Sequence, residues 1–403
     1  MPPDLSYDES MTLTPLAAAG PDLTSSQRER YARQLRLPGF GEDSQRRLAS
    51  GRVLVVGAGG LGSPALLYLA AAGVGTIGII DDDVVDLTNL HRQVIHTTAE
   101  VGVPKTASAA KAIHDLNPEV RVIEHACRIT EDNAQEIISD YDLVLDGTDN
   151  FLTRYTVDAA CSQLSVPEIW GSILRYSAQV SVFWTGPNAT AHGVPEPGVC
   201  LRDLFPTPPP PGSTPSCGEA GVLGLLCGQV GSVMAGEAIK LLTGTGDPLI
   251  GRILVLDAAS TTYTTIPLRG SLDRPAPLGG QELTDACTLT PRVATIDVAK
   301  LHDLLEARTA GDATFNLLDV REDDEWEINR LDGAVHIPLG SVLDDPSAAI
   351  SQMPSGPVYV YCLGGVRSLK AAEAIADAGT TAISVDGGIR AWWTEIDPTM
   401  ARY

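Results

Sequence analysis

Residues 51–83 read GRVLVVGAGGLGSPALLYLAAAGVGTIGIIDDD. From Val53 to Ile80 no residue is charged, and the stretch holds seven glycines and Pro64. An uncharged run of that length raises the question of a membrane span, but its period switches twice. The pattern predicts strand, glycine turn, helix and strand, buried together in a parallel sheet. Ser63 is placed to cap the helix, Pro64 suits its first position, and Gly73 can end it.

The turn itself is GAGGLG (57–62). Gly57, Gly59, Gly60 and Gly62 let a phosphate approach the backbone, and the helix start supplies oriented N–H groups. Asp81 ends the next strand, where an acid can hydrogen-bond a ribose hydroxyl. Alone, this fits NAD, FAD, ATP or a tight turn with no ligand. DDDVVDLTNLHRQVIH (81–96) then adds Asn89 and Arg92, GVPKTAS (102–108) sets Lys105 in the first turn of a helix, and RYARQ (30–34) contributes Arg33. Three bases exceed the need of a dinucleotide's pyrophosphate and suit a triphosphate, whose leaving pyrophosphate must be stabilised. YDLVLDGTDN (141–150) reads as a central parallel strand running into acids. Asp149, just past its end and followed by Asn150, can hold Mg²⁺ against the phosphates.

The chain has 403 residues, enough for two or three domains. Its 51 acids against 28 bases leave a net charge of −23, a field that repels nucleic acid and anionic membrane surfaces. The cysteines at 127, 161, 200, 217, 227, 287 and 362 are odd in number and widely spaced, and residues 1–20 lack a basic start with an apolar run. Reduced thiols in the cytoplasm are expected. Residues 1–24, polar and proline-bearing, are read as a disordered segment, and SSQRERYARQLRL (25–37) as a helix capped by Ser25 or Ser26. SAQVSVFW (177–184) alternates with period two and predicts antiparallel strands. PTPPPPGSTPSC (206–217) is a proline-rich crossover, GVLGLLCGQVGSVMAGEAIKLL (221–242) a helix buried or at a subunit interface, and GRILVLDAASTTYTTIPL (251–268) closes a domain spanning 25–270. A linker (271–291) leads to a smaller α/β unit (292–403).

That second unit contains YCLGGVRS (361–368), a thiol heading a glycine turn that opens into a helix. Inward N–H groups and the helix start depress a thiol's pKa and stabilise an anion carried on it. Protein phosphatases use a cysteine and an arginine separated by five residues around phosphate. Here four residues separate Cys362 from Arg367, and the smaller ring suits the terminal sulfur of a persulfide.

RYARQ, VVGAGGLGSPALLYLAAAGVG, DDDVVDLTNLHRQ, GVPK and LVLDGTDN together resemble the MoeB/ThiF family, bacterial relatives of ubiquitin-activating enzymes, over about residues 25–270. LLDVREDDEWEINRLDGAVHIPL (317–339), the cysteine loop and DGGIRAWW (386–393) resemble rhodanese domains over about 290–400. The resemblances imply a Rossmann-like ATP-binding domain with an added antiparallel portion, followed by an α/β rhodanese domain. They imply adenylation of the C-terminal glycine carboxylate of a ubiquitin-like, Gly-Gly-ended sulfur-carrier protein, with Gly60, Asp81, Asn89, Arg92, Lys105 and Asp149 facing ATP and Mg²⁺. Arg33 would reach in from the other subunit of a homodimer. Cys362 would carry sulfur from a donor such as a cysteine desulfurase or thiosulfate, leaving a thiocarboxylate. Cys217, after the proline-rich loop, would relay an acyl group or release the product.

Relatives often carry two C-x-x-C pairs for structural zinc. Here those positions read CLRD (200–203) and RPAP (274–277), so no zinc is expected and Cys200 is read as a small side chain near the surface. Cys127, Cys161 and Cys227 are read as buried filler, and Cys287 has no assigned role. Two alternatives stand beside this reading: an NAD-dependent oxidoreductase with a rhodanese appendage, and a non-catalytic carrier-binding scaffold. The end product, whether molybdopterin, thiamine, cysteine, a thionucleoside or a secondary metabolite, is not written in these motifs.

Overall fold

The computed structural model describes residues 13–209, 221–274 and 291–403. Cys217, Cys287 and most of the predicted linker lie outside the described residues. The chain divides into two compact units, one ending at Cys287 and one beginning at Thr288 apart from a few residues of the proline-rich segment.

The first unit is built on an eight-stranded sheet in the order β3-β2-β1-β4-β5-β6-β7-β8. Its strands are β1 Arg52–Val56, β2 Thr76–Ile80, β3 Arg121–His125, β4 Leu143–Asp146, β5 Glu168–Leu174, β6 Ser177–Phe183, β7 Arg252–Asp257 and β8 Thr262–Pro267. The pairings among β1 to β5 are parallel, and those from β5 to β8 are antiparallel. The uncharged stretch forms β1, helix Gly62–Ala72 and β2, with four of five residues buried in each strand. Gly73 ends the helix in the left-handed region at φ 85°. Ser63 does not cap. It is the helix's second residue, and its hydroxyl donates to the Ala58 carbonyl at 3.2 Å.

Two further expectations at the amino end are corrected. The helix there covers Ser25–Arg30, and its cap is Thr24, which exchanges hydrogen bonds with Gln27 in a capping box. Residues 13–24 are ordered rather than disordered. Leu13, Ala17 and Leu23 are buried, and the Leu16 and Ala17 amides donate to the Leu241 and Leu242 carbonyls at 3.0 and 3.3 Å. Apolar residues spaced through a polar segment supply that anchorage.

Helix Gly224–Thr243 is long and apolar enough to cross a bilayer. It packs along helix Gly62–Ala72 and against β5 and β6, and Gly231 passes so close to the Leu61 carbonyl that a Cβ would fall 2.4 Å from its oxygen. Gly224 and Gly231 therefore serve close packing within the unit, whereas a Cβ at Gly228 or Gly236 would meet nothing within 4 Å.

The second unit has a parallel five-stranded sheet in the order β11-β10-β12-β13-β9. Its strands are β9 Ala294–Ile296, β10 Asn316–Asp319, β11 Ala334–His336, β12 Val358–Tyr361 and β13 Ala382–Val385. Helices Val298–Ala310, Val366–Asp377 and Gly388–Glu395 cover it, with Leu317, Trp392 and Trp393 in one core cluster and Val360, Ala371 and Ile375 in another.

Candidate functional site

In an open parallel sheet, ligands collect beyond the carboxyl ends of the strands where the strand order reverses. In the first unit that point lies between β1 and β4. The loop after β1 carries Gly57–Gly62 and the loop after β4 carries Gly147–Asn150. A Cβ at Gly62 would fall 1.9 Å from the Gly57 carbonyl oxygen, so only glycine closes this turn. Gly57, at φ 90°, needs the left-handed region as well.

A cavity of about 230 Å³ opens above these loops. Of the residues expected from sequence, Gly57, Gly59, Gly60, Asp81, Arg92, Lys105, Asp149 and Asn150 line it. Gly62 and Asn89 act one step back: Gly62 shapes the turn, and Asn89 accepts from Arg92 Nη2 at 3.0 Å. Arg33 is exposed and is not part of this cavity within one chain.

Asp81 binds its own loop, accepting from the Ala58 and Asp83 amides at 2.8 and 2.9 Å. Burial raises its carboxyl above the ordinary value, opposed by Lys105 and those two amides. Lys105 is 5% exposed and donates to Asp83 at 2.8 Å, which fixes its ammonium at the cavity. Asp149 is exposed to the cavity and has no hydrogen bond among the described residues. A carboxylate left free beside a phosphate-sized cavity fits a hard cation such as Mg²⁺. Its loop is held from behind. Asp146 accepts from the Thr148 amide at 2.9 Å, Arg154 donates to the Thr148 carbonyl at 3.1 and 2.6 Å, and Asn150 caps the next helix.

The sequence reading missed Gln93, Thr148 and Arg154 at this site, although the first follows Arg92 directly and the others belong to or follow DGTDN. It also took Cys127 for filler. Cys127 stands two residues beyond the end of β3, and so at the cavity wall. Cys227 is buried, and its Sγ would lie 2.9 Å from a Cβ placed on Gly60. Cys161 is buried, and burial pushes its thiol far up.

Behind β4 and β5 lies a group of buried carboxyls. Glu168 and Asp146 are both fully buried, and their carboxyls are near enough to share a hydrogen bond once one of them is protonated. Burial raises the Glu168 carboxyl well above its ordinary value, and the neighbouring Asp158 and Asp146 raise it further. Asp158, also buried, is pushed up to about 6 by burial.

The CLRD stretch is cross-linked to Arg274, the first residue of RPAP. Arg274 Nε and Nη2 donate to Asp203 Oδ1 and Oδ2, both at 2.8 Å, with the Asp203 side chain fully buried. Cys200 is not near the surface as expected. It is 2% exposed, and burial pushes its thiol up to about 12. One thiol and a carboxylate already engaged by Arg274 fall short of the four donors of a closed tetrahedral zinc site.

In the second unit the order reverses between β10 and β12, and the loop after β12 begins with Cys362. Cys362 is fully buried, its Sγ accepting from the Gly365 amide at 3.1 Å with Ser368 Oγ at 3.5 Å. Gly365 takes φ 101° to start helix Val366–Asp377. Gly387 and Gly388 have φ 69° and 54°, and a Cβ on Gly388 would lie 2.3 Å from the Cys362 carbonyl oxygen. Glycine there lets helix Gly388–Glu395 seat its first amides on the loop, Ile389 N on Cys362 O and Arg390 N on Leu363 O at 2.8 and 3.0 Å.

Arg367, expected to ring the sulfur, is directed elsewhere. Its Nη1 and Nη2 donate to Glu325 Oε2 and Oε1 at 2.5 and 2.8 Å, and Tyr403 donates to Glu325 at 3.0 Å. Burial opposes ionisation of Glu325, but Arg367 overcomes it and leaves the carboxyl below its ordinary value. Arg367 therefore buttresses the loop. Beneath it, the fully buried Arg321 guanidinium binds Asp319, Asn329 and Tyr403.

The ThiF family matches residues 31–274, and the rhodanese-like domain matches residues 298–395. The chain is 44% identical to the probable adenylyltransferase/sulfurtransferase MoeZ of Mycobacterium tuberculosis, over 98% of this chain and 100% of that one. It is 49% identical to the sulfur carrier protein adenylyltransferase of Thermus thermophilus, over 61% of this chain and 89% of that one. It is 35% identical to the adenylyltransferase and sulfurtransferase MOCS3 of Arabidopsis thaliana, over 94% and 86%. Among solved structures, the crystal structure of E. coli MccB with a MccA peptide superposes with a TM-score of 0.53 at 20% identity, covering 62% of this chain and 74% of that one. That likeness concerns the fold.

Proposed function

Because the chain belongs to the ThiF family and continues into a rhodanese-like domain, we propose that it adenylates a sulfur-carrier protein and then loads it with sulfur. A carboxylate is a poor electrophile, since its leaving group would be oxide. The carrier's terminal glycine carboxylate attacks the α-phosphorus of ATP; the bond to the bridging oxygen breaks and pyrophosphate leaves. The acyl carbon then carries AMP as its leaving group. Backbone amides of the Gly57–Gly62 turn, Arg92 and Lys105 hold the triphosphate. Mg²⁺ held by Asp149 would neutralise phosphate charge.

In the second step the persulfide on Cys362 attacks the acyl carbon, the C–O bond to phosphate breaks, and AMP departs. An acyl disulfide to Cys362 remains. A second thiol, for which Cys217 is the candidate, attacks Cys362 Sγ and forms a disulfide with it, and the sulfur leaves on the carrier as thiocarboxylate. Reduction of that disulfide by an external dithiol and reloading by a sulfane donor, such as a cysteine desulfurase or thiosulfate, complete the cycle. The reading includes a homodimer with Arg33 contributed across it, a cytoplasmic setting, a division at residues 25–270 and 292–403, and no structural zinc.

The observation that carries the proposal is the cavity in which the glycine turn, Arg92, Lys105 and Asp149 meet. Its cations suit a triphosphate better than a dinucleotide, and Asp81 is already bonded to its own loop. Incubation with ATP, Mg²⁺, a sulfane donor and a Gly-Gly-ended carrier should exchange one carrier oxygen for sulfur in the intact mass. No exchange with any such carrier, together with no carrier-dependent ATP–pyrophosphate exchange, overturns the proposal.

A further inference from the structure

The Cys362 loop is buried except between Leu363 and Val366, so a reaction partner reaches the sulfur over Gly364 and Gly365. The one arginine within the loop is turned away into its bidentate pair with Glu325. Another cation stands at the opening. Arg390 is exposed, and its side chain has no hydrogen bond or ion pair among the described residues. Its Nη2 would lie 3.1 Å from a Cβ built on Gly364. Gly387 and Gly388 put it there, by seating the first turn of helix Gly388–Glu395 on the loop.

We propose that Arg390 is the oxyanion-recognising residue of the sulfur-transfer site. This rests on the reading of Cys362 as the persulfide carrier. The chemistry of both half-reactions supplies the ligand. A thiosulfate-type donor gives up its outer sulfur to Cys362 and leaves as sulfite, with the electron pair of the broken S–S bond on the sulfonate group. An acyl-adenylate gives up its acyl group and leaves as AMP, with the electron pair of the broken C–O bond on phosphate. In each case negative charge grows on a tetrahedral oxyanion beside the loop. A guanidinium with five free donors matches that shape. The whole-chain charge of −23 makes a local cation necessary for any such partner to approach.

The test uses the full chain and the variants Arg390→Ala and Arg390→Lys. One arm follows steady-state transfer from thiosulfate to cyanide. The other loads persulfide with inorganic polysulfide, which carries no oxyanion, and follows a single turnover onto an adenylated Gly-Gly carrier. Arg390→Ala is expected to lower thiosulfate kcat/KM, the carrier rate, or both by about tenfold or more, as loss of a charge-assisted hydrogen bond implies. Arg390→Lys should recover part of the loss, which a mere packing defect would not allow. A loss confined to the first arm assigns the sulfonate, and a loss confined to the second assigns the phosphate. Rates within twofold of the parent in both arms overturn the proposal. If the parent itself fails the carrier arm, the adenylation reading fails, and the thiosulfate arm still judges Arg390.

Discussion

Both glycine loops leave the carboxyl end of a parallel strand where the strand order reverses, but they meet negative charge differently. The Gly57–Gly62 turn opens under a wide cavity whose Arg92 and Lys105 come from outside the loop. The Cys362 turn closes around a buried sulfur that accepts from the Gly365 N–H and donates its thiol to Ser368 Oγ, while Arg367 is paired with Glu325. One loop is made to receive a large, charged, exchangeable molecule, and the other to hold a single reactive atom. The supports beneath differ as well. Arg321 and Asp319 form a buried ion pair saturated with hydrogen bonds, whereas Asp146 and Glu168 are buried carboxyls set against each other, each opposing the other's ionisation.

The sharpest way to break this division is to disable each loop separately. Cys362→Ala should abolish transfer of sulfur to the carrier while carrier-dependent ATP–pyrophosphate exchange continues. Lys105→Ala should do the reverse, lowering exchange by about 10²–10³-fold with persulfide loading on Cys362 intact. Loss of both activities in either variant removes the division of labour. Next in size is the cross-link of the first unit. Arg274→Ala leaves a buried Asp203 carboxylate without its counter-charge and with only the Cys200 and Ser271 amides, so unfolding should become easier by about 3–5 kcal/mol, read from denaturant melts. Metal analysis should find no stoichiometric zinc, and a chelator should leave the melting temperature of the parent unchanged.

The smallest effect concerns the buried acids. The folded-state pKa of Glu168 lies above its unfolded value, so its contribution is favourable below the ordinary glutamate range and is lost as pH rises toward the folded value. Asp158 adds the same sign between its ordinary value and about 6. Glu168→Gln should therefore melt like the parent near pH 4.5 and about 2–4 °C higher at pH 8 for each kcal/mol relieved. A variant that melts lower than the parent at pH 8 would show that the ionised carboxyl is stabilising after all.

Much of the architecture was legible because its signals are local. Two period switches in an uncharged run announced β1, its helix and β2, and a thiol placed before two glycines announced the second loop. Partnerships across long separations were not legible. Arg367 looked committed to the sulfur until Glu325, 42 residues earlier, claimed it, and Asp203 gives no hint of Arg274, 71 residues later. Cys127 packs against a core cluster as its apolar surroundings suggest, but its place at the cavity follows from the end of β3, which those surroundings do not reveal. Residues 13–24 looked loose because anchorage by three spaced side chains leaves no periodic trace.

The Asp203–Arg274 staple has a consequence of its own. It ties Gly198 and Ser271 into one knot, since Arg274 also donates to the Gly198 carbonyl and Asp203 accepts from the Ser271 amide. The fastening is made side chain to side chain and side chain to backbone, and it joins segments 71 residues apart. With the Asp203 side chain fully buried, salt screens the pair far less than it would an exposed one, so the tie should hold across a wide range of ionic strength.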